Sequence, residues 1–154
     1  MSCVKTKLVL LTSVLLLMSF VIPSVLALKP LRGTMALDRQ PTNPVWVGTI
    51  TIDNIEYKMC FTNIGTGKPY LSNPGKDLHF GEIWLITDFE DNLVLTGTDS
   101  GVVATANWKY RMNGVVTATN AAFEAYLGRQ VHMDGIVLFV DGVISTAPGE
   151  FRID

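Results

Sequence analysis

Cysteine is nearly absent from this 154-residue chain: Cys3 and Cys60 are the only two. Cys3 lies in an apolar N-terminal segment, so a mature chain that has lost that segment keeps Cys60 alone and forms no intrachain disulfide. Such a domain must rest on its hydrophobic core and on a closed sheet. Cys60 is then either a small buried hydrophobe or an exposed thiol, and free cysteines are mostly buried. Histidine is equally scarce. His79 and His132 each stand alone in a predicted strand. The two could meet across a sheet with Glu82 or Asp134, yet no zinc spacing is present and no metal is expected. The chain also lacks a glycine-rich phosphate loop, a nucleophile elbow and a dinucleotide fingerprint, so no cofactor is expected.

Positive charge is the next scarcity. The whole chain carries a formal charge of −2. Without Lys5 and Lys7, ten basic residues face fourteen acidic ones, a charge of −4. No cluster of Lys and Arg occurs, which argues against nucleic acid or an anionic membrane surface as partner.

What is present begins with a leader. Lys5 and Lys7 precede an apolar run over 8–22, Pro23 breaks it, and Val25 and Ala27 fit the −3 and −1 positions of a signal-peptidase site. The expectation is a signal peptide over 1–27 and one secreted domain over 28–154. The alternative is an uncleaved N-terminal helix that anchors the chain, since 8–28 is roughly the ~20 residues a membrane span needs. No cysteine ends the apolar run, which argues against a lipoprotein.

The remainder reads as all-β. Candidate strands are 32–38, 45–52, 55–63, 78–88, 93–99, 109–118, 131–140 and 150–154, rich in Val, Ile, Thr, Tyr and Trp. Asp53-Asn54 suits a two-residue hairpin turn. Glu90-Asp91-Asn92, Asp99-Ser100-Gly101 and Asp141-Gly142 read as further stops, the last closing a small extra hairpin. Five strands carry a mid-strand glycine: Gly48, Gly81, Gly97, Gly114 and Gly135. Glycine inside a strand marks a bulge, a bend or a close approach, and its recurrence suggests a coiled sheet. Eight short strands with tight turns predict a single antiparallel eight-stranded barrel, an up-and-down meander. Asn120 caps one short helix over 120–129, whose buried face is Phe123, Tyr126 and Leu127 and whose end is Gly128. The loop over 64–77 is longer than a usual hairpin loop, as binding loops often are. Strands 78–86 and 131–140 are apolar on both faces, which predicts outside cover by a subunit interface or by the 120–129 helix, and a homo-oligomer is expected.

Glu82 is the carboxylate most suited to chemistry. It alternates with Phe80, Trp84 and Ile86, so all four share one strand face. An acid among large apolar groups is desolvated, its pKa rises, and it can serve as general acid or base or as a donor to a ligand. Phe80, Trp84, Tyr110 and Arg111 are the candidate ligand-binding residues beside it. Arg111 and Asn113 share a face opposite Tyr110 and Met112, and either face can point inward.

The segments GTMALD (33–38), VGTITI (47–52), LTGTDSGVV (95–103), MNGVVT (112–117) and LGRQVHMDG (127–135) resemble the allene oxide cyclase-like barrels, which include the plant dirigent proteins. The resemblance spans most of the mature chain and implies a β-barrel, often trimeric, with an apolar lumen. The cyclases of that family isomerise a reactive fatty-acid epoxide, a lumen glutamate being proposed to assist, and dirigent proteins steer radical coupling without a cofactor. No catalytic residue carries over from the family to a numbered position here.

Three readings follow. The first is a secreted barrel that binds a small apolar or amphipathic molecule in its lumen. The second is a cofactor-free isomerase or cyclase that uses Glu82. The third is a structural surface protein with a filled lumen. Lumen volume separates the third from the others.

Overall fold

A computed structural model describes residues 28–64 and 77–154. The expected leader over 1–27 and most of the 64–77 loop lie outside the described residues. Ten strands run in chain order: β1 (Leu31–Arg39), β2 (Trp46–Ile52), β3 (Ile55–Asn63), β4 (Leu78–Thr87), β5 (Leu93–Ala104), β6 (Lys109–Thr119), β7 (Gln130–Ile136), β8 (Leu138–Val140), β9 (Val143–Thr146) and β10 (Gly149–Ile153). Strands β1 to β7 form an antiparallel meander. β10 then pairs antiparallel with both β7 and β1, which closes an eight-stranded barrel. Closure leaves the barrel no unpaired edge. β8 and β9 form a hairpin outside the ring, held to β1 through the Asp38–Thr146 pairing.

The turns follow from their residues. Asp53 and Asn54 adopt φ of 48° and 65°, the left-handed pair that a tight hairpin requires. Asn120 caps a 3-10 helix, Ala121–Tyr126, its Oδ1 accepting from the amides of Ala122 and Phe123 at 3.0 and 3.3 Å. Phe123 packs edge-on to Tyr57 of β3. The helix therefore covers the barrel end where β3 begins. Leu127 departs from expectation: it is 53% exposed, because the helix stops at Tyr126 and turns the next side chain outward.

Two strands also differ from their predicted extents. β5 runs through Asp99-Ser100-Gly101 to Ala104 instead of turning there. The predicted strand over 131–140 breaks at Val137, whose amide donates to Trp108 O at 2.8 Å. The second half of that apolar run leaves the ring as β8. Asp141 and Gly142 then make the hairpin turn, at φ of 50° and 78°.

Four of the five mid-strand glycines, Gly48, Gly97, Gly114 and Gly135, hold space for neighbours, while a Cβ on Gly81 would make only an ordinary contact. A Cβ on Gly97 would collide with the Trp84 indole, and one on Gly101 would lie 2.7 Å from the Phe80 ring. Gly114 makes room for Asp99, while Gly135 and Gly149 make room for the Tyr110 ring. Large lumen side chains thus sit against bare backbone on the next strand. The middle of the barrel is full. Trp84, Ile86, Leu95, Met133 and Phe151 are almost wholly buried, and Trp84 meets Phe151 across the lumen at 5.7 Å in a T-shaped contact.

Candidate functional site

The free volume lies at the barrel end opposite the 3-10 helix. There β1, β3, β5 and β7 finish and β4 and β6 begin, so their inward residues ring a cup of about 140 Å3. Alternation on β4 sends Phe80, Glu82 and Trp84 inward at successive depths. Phe80 and Glu82 line the cup, and Trp84 belongs to the packed layer beneath it. β6 adds Tyr110 and Met112, β3 adds Phe61 and Asn63, and β1 adds Leu37 and Arg39. The root of the β8–β9 hairpin supplies Val137, Ile144 and Ala147 to the rim. Trp108 is part of the wall and is held by Phe139, ring to ring at 4.6 Å.

Glu82 is 4% exposed, and no hydrogen bond reaches its carboxyl among the described residues. Burial pushes its pKa up from near 4.5 to about 8. The neighbouring Asp99 adds to the shift, and Arg39 opposes it. Asp99 stands directly across from Glu82 in the β4–β5 register and is 7% exposed. Both of its oxygens are buried without a hydrogen-bond partner, and burial pushes its pKa to about 7. The barrel therefore holds one carboxyl, Glu82, that favours the protonated state at neutral pH and a second, Asp99, that titrates close to it. Tyr110 is also shifted up by burial, helped by Asp134 and Glu82. Its hydroxyl donates to Pro148 O at 3.3 Å.

Arg39 is the one Lys or Arg that lines the cup among the described residues. Its Nη1 donates to the carbonyls of Gln40 and Val45 at 2.6 and 2.8 Å, and its guanidinium lies 5.6 Å from the centre of the Trp46 ring. These contacts fix it at the rim, where it influences Glu82 through space and forms no ion pair with it.

Glu82, Phe80 and Tyr110 are thus brought together as the sequence suggests. Trp84 sits too deep to touch the cup. Arg111 is a correction: it projects from the outer wall of β6, exposed, opposite Asp134 of β7. The side chain preceding inward Met112 must point outward. Arg111 there borders a polar groove with Arg32, His132 and Arg152. His132 Nδ1 contacts Asn113 Oδ1 at 2.7 Å, and its Nε2 lies 3.2 Å from Asp154. His79 stands at the cup's rim, so the two histidines do not meet. No grouping of three or more His, Cys, Asp or Glu suited to a metal occurs among the described residues. Cys60 is half-buried and carries a free thiol.

Asp99 and Arg39 were not singled out from sequence. The pattern Leu95-Gly97-Asp99-Gly101-Val103 does place Asp99 on an apolar strand face. Reading Asp99-Ser100-Gly101 as a turn hides it. No family model, no curated protein and no solved structure matches the chain.

Proposed function

We propose that this chain is a secreted binding barrel whose open end takes one small apolar or amphipathic molecule. The observation that carries the reading is the cup itself: aromatic and aliphatic walls around a buried acid that accepts no hydrogen bond from the described residues. A cavity of about 150 Å3 lined by apolar groups holds benzene, whereas drug-sized ligands need ~300–1,000 Å3. At about 140 Å3 the cup suits a single ring or the end of a chain. The packed layer under Trp84 keeps a long acyl chain from threading the lumen. A second reading, a cofactor-free isomerase, draws on Glu82: an acid with pKa about 8 beside a ligand can give or accept a proton near neutral pH.

Thermal-shift titration with small aromatic and aliphatic compounds tests the first reading. Binding should raise Tm in wild type, and Ala147→Leu, which adds bulk at the rim, should abolish the rise. Absence of a shift with every compound overturns the binding reading. Ligand turnover that Glu82→Gln leaves unchanged overturns the isomerase reading. Secretion is expected to leave a mature N-terminus at Leu28, read by Edman sequencing. Self-association, as a trimer on the family resemblance, is expected through the outer wall around Ile83, which is 44% exposed. Sedimentation of wild type and Ile83→Glu checks it.

A further inference from the structure

We propose that the ligand of the cup is a small organic cation, a benzene-sized aryl- or alkylammonium whose nitrogen pairs with Glu82 and whose carbon skeleton lies against the rings. This rests on the reading of the cup as a binding site and names the chemistry it selects.

The charge inventory is the first argument. Two buried carboxyls, Glu82 and Asp99, face each other across the β4–β5 ladder. One guanidinium, Arg39, is near Glu82, and its Nη1 donates to the carbonyls of Gln40 and Val45 instead of to a carboxyl. Other described neighbours of Glu82 are Asn63, its cross-strand partner on β3, and Tyr110 on β6, neither of them cationic, while His79 stands farther out on the rim. Among the described residues the site therefore sets two acids against one guanidinium. A buried acid without a partner costs stability, and an incoming cation removes that cost by allowing ionisation.

The walls are the second argument. Trp46, Phe61, Phe80, Trp108 and Tyr110 surround the space that Glu82 faces. Aromatic faces attract ammonium groups, more strongly once water is excluded. A carboxylate ligand would add a third acid beside Glu82 and Asp99. A neutral oxygen could accept from protonated Glu82 but would leave the excess of acid in place.

Isothermal titration calorimetry of the full secreted chain with benzylammonium and with benzyl alcohol, at pH 7 in two buffers of different ionisation enthalpy, provides the test. Benzylammonium should bind at least about tenfold more tightly, a difference near 1.4 kcal/mol. It should also release protons, because Glu82 ionises on pairing. Glu82→Gln should erase the preference while still binding benzyl alcohol, and Asp99→Asn should weaken it. Equal or tighter binding of the alcohol, or an unchanged preference in Glu82→Gln, overturns the cation assignment and leaves the binding reading standing. If neither compound binds, both fall.

Discussion

Glu82 and Asp99 are held in a place where water would keep them charged and the barrel does not. Their linkage to stability follows from the direction of the shifts. Both folded pKa values, about 8 and about 7, lie above the ordinary values near 4.5 and 3.8. Well below pH 3.8 both states of the chain are protonated and nothing is lost. As pH rises, the unfolded chain ionises first and gains, so stability falls until the folded carboxyls also titrate. Each such group can cost at most about 1.4 kcal/mol per pH unit across that window. Urea melts at pH 4.5 and pH 8.5 should therefore show the higher midpoint at the acid end. Glu82→Gln should flatten the dependence and be more stable than wild type at pH 8.5; a midpoint that rises with pH counts against this account. Glu82 was legible because alternation within one strand fixes its neighbours. Asp99 was not, since its burial depends on pairing between strands, and an Asp-Ser-Gly sequence has the composition of a turn.

At the level of the strand, bare backbone positions are what let large side chains enter. Gly97→Ala drives a Cβ into the Trp84 indole and should cost about 2 kcal/mol or more. Gly142→Ala meets open space but keeps φ at 78°, so its cost should be nearer 1 kcal/mol. Chemical denaturation of the two variants checks the order; a reversed order would mean that backbone strain outweighs the lumen clash. Asn120→Ala removes two capping bonds and should cost about 1 kcal/mol by the same measurement. Periodicity placed most strands correctly, because short runs bounded by turn residues have few alternatives. It misjudged β5 and the β7–β8 break for one reason. A continuous apolar run shows that residues are covered, and leaves open whether the cover comes from the ring or from a hairpin outside it. The glycines likewise signalled a crowded interior, while their partners awaited the register.

For the whole molecule, ring closure rests on five residues. β10 contributes Phe151 and Ile153 to the core and joins β7 to β1. Phe151→Ala should cost about 4 kcal/mol, a large fraction of the roughly 5–15 kcal/mol that holds an ordinary domain, and lower Tm steeply in calorimetry. An eight-stranded closed barrel could be read from strand count and turn spacing. How full it is could not, because free volume depends on which side chains meet across the lumen. Closure by β10 also fixes where the chain can be held. Leu31 pairs with Ile153, so both ends of the barrel's chain emerge side by side, on the rim that the 3-10 helix covers. The cup opens on the far rim. A tether at either end therefore leaves the opening pointed away from whatever holds it. A leader that stays in a membrane and a C-terminal tag on a sensor chip present the same face to solution.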